Sequence, residues 1–131
     1  EEACACALHA ASLAHERVAE VNGRRAAAEL PVTEVYLGLH FGEVFYGNIG
    51  SQTRLDFTVV GPAVNEVARI AAMCRSAERN VLTSTKFAGI AKAADQERLV
   101  SVGRFALRGI EEPRELFTLA SRPGEAWAAQ G

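Results

Sequence analysis

The sequence predicts an α+β domain with a mixed or antiparallel sheet and packed helices. Three observations lead there. The first twenty or so residues carry apolar groups at helical spacing, short β-like runs follow, and the later helices and strands alternate without the long crossovers of a doubly wound parallel sheet. At 131 residues the chain is one domain's worth, long enough to bury a sizeable core.

Residues 3–22 place Cys4, Ala7, Leu8, Ala11, Ala14, Val18 and Val21 on one helical stripe, with Asn22-Gly23 as the expected stop. Residues 24–31 read as a loop or short helical extension. Val35–Phe41 and Val44–Ile49 are β-like runs broken at Gly42-Glu43, which predicts a hairpin between them. Gly50-Ser-Gln-Thr reads as a turn and Phe57–Val60 as a short strand leading into a helix that fades near Ser76. Asn80–Thr83 follows as a strand, and Ser84 or Thr85 caps a helix to about Lys92. Residues 98–102, 104–107 and 115–119 are the late strands. The last stretch, 121–131, with Pro123, Gly124 and the lone Trp127, reads as a tail or linker after a domain spanning 1–120.

Lys and Arg number 14 against 16 acidic residues, a net charge of −2, so there is no electrostatic case for nucleic acid or an anionic membrane. No apolar run approaches the roughly 18–20 residues needed to cross a bilayer, so no membrane contact is expected from this segment. Cys4, Cys6 and Cys74 are an odd count without paired metal-type spacing, and they read as small apolar filling. A reducing, cytoplasmic setting is the expectation. The opening Glu-Glu suggests a piece of something longer.

The chemistry concentrates in Gly61-Pro-Ala-Val-Asn-Glu-Val-Ala-Arg69. Pro62 suits the first helical position, where its missing N–H costs nothing. Val64, Val67, Ala68, Ala71 and Ala72 continue the helical pattern, which makes Asn65 and Arg69 i,i+4 neighbours on one face. An amide beside a permanently charged planar fork suits a site that orients a sugar or a nucleophile and offsets phosphate charge. The same spacing also describes an ordinary solvated helix face.

Three segments carry a resemblance that raises the first reading. Leu37-Gly-Leu-His-Phe-Gly-Glu-Val-Phe-Tyr-Gly-Asn-Ile-Gly50, then Arg54-Leu-Asp-Phe-Thr-Val-Val-Gly-Pro-Ala-Val-Asn-Glu-Val-Ala-Arg69, resemble the central part of class III adenylyl and guanylyl cyclase catalytic domains. Gly103-Arg-Phe-Ala-Leu-Arg-Gly-Ile-Glu-Glu-Pro-Arg-Glu-Leu-Phe-Thr-Leu119 resembles that domain's closing strands. The resemblance covers about Ala3 to Ala120 and implies a ferredoxin-like palm with added elements, of which this chain is the C-terminal two thirds.

What the resemblance implies for function follows residue by residue. Asn65 orients the ribose and Arg69 neutralises charge growing on the α-phosphate. Thr58, seven residues before Asn65, falls where many relatives place a base-reading aspartate and some bacterial subgroups place Thr or Ser. Arg108, in Leu107-Arg108-Gly109, falls where relatives place a lysine on the triphosphate. Pro62 replaces the acidic or polar residue common after that glycine and stiffens the helix start. The family's two metal-binding aspartates and a base-selecting lysine belong to segments preceding the helix at 3–22, so no metal ligand is assigned here, and Mg²⁺ or Mn²⁺ is expected to be held by upstream residues. Sites in the family form between two subunits, so the implied partners are ATP and a homodimer mate or second cyclase subunit. The implied activity is conversion of ATP to 3′,5′-cyclic AMP, with the chain alone inactive. The alternative is a non-catalytic cyclase-homology module that dimerises and relays a signal.

Other polar residues read as structural. His40 alternates with Leu39 and Phe41 in a strand, His9 and His15 have no partner spacing, and Glu43 and Asp56 match no motif. Gly38, Gly42, Gly47 and Gly50 fit hairpin turns, because no Gly-x4-Gly-Lys-Ser/Thr is present.

Overall fold

A computed structural model of the chain describes residues 1–120, apart from the side chains at positions 49, 54 and 55. The tail expected over 121–131 lies outside the described residues. The elements run α1 (Glu2–Ala27), β1 (Leu37–Leu39), β2 (Phe45–Ser51), β3 (Arg54–Val60), α2 (Pro62–Met73), β4 (Val81–Ser84), α3 (Thr85–Ile90), α4 (Ala93–Gln96), β5 (Leu99–Phe105) and β6 (Arg114–Leu119). Four strands form a mixed sheet in the order β1-β4-β6-β5, with β1 and β4 parallel and the other pairs antiparallel. The α+β expectation with a mixed sheet and packed helices is what the structure has.

Side-chain alternation along the strands divides the core between the two faces of this sheet. Leu116 and Leu82 join Ile70 of α2, Cys74 just past its end and Leu107, while the adjacent Phe117 packs with Cys4 and Leu8 of α1, Phe87, Ala91 and Leu99. Leu8, Leu82 and Leu116 are almost fully buried, and each such side chain contributes about 1.5–3 kcal/mol of transfer free energy. Cys74 donates its thiol to the Leu37 carbonyl at 3.6 Å, and burial raises its pKa, so it stays protonated.

The helix α2 lies unusually close to β1. A Cβ at Gly38 would stand 2.8 Å from the Val67 carbonyl oxygen and 2.9 Å from the Ala71 amide nitrogen. Only a residue without a side chain permits that approach, and it seats the Asn65/Arg69 helix directly on the sheet.

Three expectations need correction. The hairpin does not join 35–41 to 44–49. It is β2 with β3, Phe45 opposite Val60 and Ser51 opposite Arg54, and β1 pairs instead with the distant β4, Leu37 opposite Val81. A tertiary partner across the sheet outweighs the local glycine signal. Asn22-Gly23 does not end the first helix, which continues to Ala27. Asn22 is engaged elsewhere, its amide donating to the Thr33 carbonyl and its oxygen accepting from the Thr33 N–H. The strands expected at 98–102 and 104–107 are one strand, β5, with an irregularity between Ser101 and Gly103 where the φ of Gly103 is +106°.

Candidate functional site

The site is organised by the start of α2. Gly61, at its N-cap, has φ +138°, a conformation L side chains rarely adopt, and the chain turns there from β3 into the helix. Pro62 occupies the first turn as the sequence predicts. The Val64 and Asn65 amides both donate to the Gly61 carbonyl, which holds the first turn and leaves the Asn65 side chain exposed. Arg69 follows one turn later and is half-buried.

The loop between β5 and β6 comes up against Arg69. A Cβ on Gly109 would stand 3.3 Å from Arg69 Nη2, 3.4 Å from Cζ and 3.5 Å from Nη1. Three near-equal distances mean that the guanidinium turns its planar face to the Gly109 backbone. Gly109 itself has φ +77°. This packing brings the loop that carries Arg108, which is exposed, to the helix that carries Asn65 and Arg69. Among the described residues neither arginine makes an ion pair with a carboxylate. Two arginines and an exposed amide on adjoining segments, neither arginine paired with an acid among the described residues, are a combination suited to a polyanion.

Thr58 stands in β3 opposite Gly47 of β2 and is half-buried. A Cβ at Gly47 would meet nothing within 4 Å, so the space beside Thr58 is open. The β2–β3 hairpin is a separate two-stranded sheet with a markedly apolar surface. Phe45, Tyr46 and Phe57 are 70%, 71% and 67% exposed, and the Tyr46 and Phe57 rings stack at 5.6 Å.

Behind α2 lies a polar group that the sequence did not reveal. His40, one residue past β1, has its side chain only 7% exposed. Its Nδ1 is 2.7 Å from Ser84 Oγ, and Ser84 caps α3 by accepting from the Phe87 N–H. Its Nε2 is 3.6 Å from Glu66 Oε2, and the other carboxylate oxygen of Glu66 is 3.5 Å from Arg114 Nε. Burial lowers the His40 pKa, partly offset by Glu66 and reinforced by Lys86 and Arg114. His40 is therefore neutral at neutral pH, and Arg114 is the cation that balances Glu66. The reading of His40 as a plain strand residue missed this, and the one sequence signal was an acidic residue between Asn65 and Arg69.

Among the described residues no group of three or more His, Cys, Asp or Glu side chains could hold a metal ion. These residues by themselves offer no seat for the divalent cation that the resemblance implies. Among the described residues no helix is long and apolar enough to cross a membrane.

Comparison with known proteins follows the same lines. No model of a known protein family matches the chain. Two uncharacterised proteins of Mycobacterium tuberculosis, Rv1318c and MT1361, are 33% and 29% identical over 93 and 99 residues, or 70% and 76% of this chain. The chain spans only 17% and 18% of their lengths. Among solved structures, a bacterial light-regulated adenylyl cyclase matches 63% of the chain at TM-score 0.52 and 28% identity, with 22% of its own chain covered. The guanylyl cyclase Cya2 matches 83% of the chain at TM-score 0.63 and 25% identity, with 53% of its own chain covered. The adenylyl cyclase CyaB from P. aeruginosa shares the fold over 83% of the chain and 54% of its own, at TM-score 0.68 and 19% identity. The structural neighbours of this chain are thus class III adenylyl and guanylyl cyclases, which it resembles in fold and, at 28% and 25% identity to two of them, in sequence.

Proposed function

We propose that this chain is part of a nucleotide cyclase that converts ATP to 3′,5′-cyclic AMP and pyrophosphate, and that it supplies the half of the site which orients the ribose and offsets phosphate charge. The observation that supports this most is the packing of Arg69 on Gly109, which joins the loop carrying Arg108 to the helix carrying Asn65 and Arg69. In the reaction the ribose 3′-oxygen bonds to the α-phosphorus while the bond to the bridging oxygen of pyrophosphate breaks. Asn65 holds the ribose so that the attack is in line. Arg69 meets the charge developing on the α-phosphate, and Arg108 holds the departing phosphates. Positioning and fixed charge of this kind are the protein's main contributions to phosphoryl chemistry.

Thr58, at the edge of the hairpin, faces the base, and its hydroxyl can donate or accept. The metal-binding carboxylates come from another segment, and a second subunit completes the site. The exposed Tyr46 and Phe57, stacked on one face of the hairpin, and the exposed Phe45 on the other support association with another chain, since exposed apolar surface of this kind marks an interface. A cytosolic location accords with free cysteines, two of them buried.

Complementation tests the reading. The 131-residue chain is mixed with a cyclase subunit disabled only at its own counterparts of Asn65 and Arg69, and cyclic AMP is measured with ATP and Mg²⁺ or Mn²⁺. The chain alone gives no turnover, and the mixture gives turnover that needs Arg69. Turnover by the pure chain would overturn the half-site assignment. A mixture that associates and stays inactive would favour the non-catalytic signalling module.

A further inference from the structure

We infer that Glu66, backed by His40, is a positioning residue. Its carboxylate ties the helix carrying Asn65 and Arg69 to the loop carrying Arg108, and so fixes how the two arginines face one another. The consequence for catalysis rests on the cyclase reading above; the geometry does not.

Glu66 lies between Asn65 and Arg69 in sequence, yet it points the other way. Asn65 is exposed, whereas the Glu66 side chain is 23% exposed and turned toward the sheet. Each carboxylate oxygen has its own neighbour, Oε2 facing His40 Nε2 at 3.6 Å and Oε1 facing Arg114 Nε at 3.5 Å. Arg114 is the first residue of β6, where the loop bearing Arg108 and Gly109 returns to the sheet. Glu66–Arg114 thus grips the far end of that loop, while Arg69 rests on Gly109 near its middle. Two attachments to one loop, three residues apart on α2, resist both sliding and rotation of the loop over the helix.

His40 makes the arrangement specific. It is neutral, and Ser84 Oγ already accepts from the Phe87 N–H. One tautomer then serves both of its contacts: the Ser84 hydroxyl donates to Nδ1, leaving the Nε2 hydrogen directed at Glu66. The imidazole has little freedom to move. A Cβ at Gly42 would stand 3.3 Å from His40 Nε2 and 2.7 Å from Ala63 Cβ, so the backbone after β1 lies close against both the ring and α2. A chain of contacts therefore runs from the α3 cap through His40 to the carboxylate and on to Arg114. A surface ion pair would hold nothing in place; this one is backed by a buried ring on one side and a strand end on the other.

The test uses two readouts. In the ¹⁵N-labelled chain, Glu66→Gln removes the charge with little change of shape and is expected to shift the Gly109 amide and the Arg69 Nε–Hε resonance while the fold is retained. In the complemented enzyme the same variant is expected to lower kcat by on the order of 10- to 10²-fold with little change in KM for ATP, as misplacement of a group that touches the substrate does. Glu66→Asp, which keeps the charge on a shorter arm, recovers part of that loss; a role confined to stability would instead lower the melting temperature and leave kcat per folded molecule unchanged. Unshifted Gly109 and Arg69 resonances overturn the inference, as does wild-type kcat in Glu66→Gln when Arg69→Ala is inactive. If Arg69→Ala stays active, the cyclase reading fails, and the resonances alone decide whether Glu66 sets the loop.

Discussion

The Arg69 guanidinium lies face-on against the backbone of Gly109, with Nη2, Cζ and Nη1 all 3.3–3.5 Å from where a Cβ would be. Forty residues of sequence separate the two, and their contact is what gathers the proposed phosphate-binding groups. Gly109 is constrained twice, by that contact and by its φ of +77°.

Gly109→Ala is accordingly expected to act on both counts. The backbone conformation alone costs about 1–2 kcal/mol for a residue with a Cβ, and the methyl group also displaces the guanidinium. Arg69 is the far end of a flexible side chain, so the protein stays folded while the arginine moves. The expected result is a modest fall in melting temperature and a large fall in kcat of the complemented enzyme. A variant with the backbone cost and unchanged kcat would separate Gly109 from the site.

Asn65 and Arg69 themselves are expected to matter in the transition state more than in the ground state. Asn65→Ala and Arg69→Ala should each lower kcat by on the order of 10²–10³-fold, with a much smaller rise in KM. Both side chains lie at least partly in solvent, so truncation leaves the fold intact. Steady-state kinetics of the assembled enzyme check this, and near-normal kcat in a folded, associated variant removes the role assigned to that residue.

What could be read from the sequence divides along the distance over which the determining interaction acts. The start of α2 was legible because Gly61 and Pro62 set it within two residues. The capping of α3 by Ser84 was legible for the same reason. The pairing of β1 with β4 was not, since Leu37 and Val81 meet only after the intervening hairpin and helix have folded. Asn22 looked like a helix stop because its partner Thr33 is invisible to a local rule. At the site, the Asn65/Arg69 pair could be read from helical spacing, but Gly109 and Arg114 reach it from another part of the chain. Glu66 was hidden for a different reason: helical spacing gives a residue's face, and only the packed sheet shows what that face meets.

Gly38 gives a prediction about stability rather than chemistry. Its missing Cβ lets Val67 and Ala71 of α2 approach β1, at 2.8 and 2.9 Å from the position the Cβ would take. Those neighbours are backbone atoms of a helix and cannot swing away. Gly38→Ala is therefore expected to destabilise the chain by about 1–3 kcal/mol, as overpacking does. Urea unfolding measures it, and a neutral result would mean that α2 can ride further from the sheet than its packing indicates.

The lowered pKa of His40 predicts a pH dependence of stability. The groups facing the imidazole are Glu66 from α2, Lys86 from α3 and Arg114 from β6, and burial outweighs the attraction of Glu66. The unfolded chain then binds a proton more readily than the folded one, so stability rises with pH between the two values. The contribution of neutral His40 is fully present above its ordinary value of 6.5 and is lost as pH falls below it toward the folded value. Melting temperatures of wild type and His40→Gln, measured from pH 7.5 down to 5, are expected to converge as the solution is acidified. Parallel curves would show that His40 is not held neutral by its surroundings.

Base choice provides the last prediction. Thr58 sits in β3 opposite Gly47, with open space beside it, and presents one short hydroxyl. A carboxylate at this position would only accept hydrogen bonds, whereas a hydroxyl can accept from the adenine amino group or donate to the guanine carbonyl. Discrimination between the two bases should consequently be partial, because neither leaves the hydroxyl without a partner. ATP is expected to be preferred, with measurable GTP turnover in the assembled enzyme. Thr58→Ala removes the hydroxyl and leaves the α2 groups in place, so it should lower the ratio of kcat/KM for ATP over GTP while kcat for ATP changes little. An unchanged ratio would make Thr58 a strand residue alone and move base selection to the subunit that supplies the rest of the site.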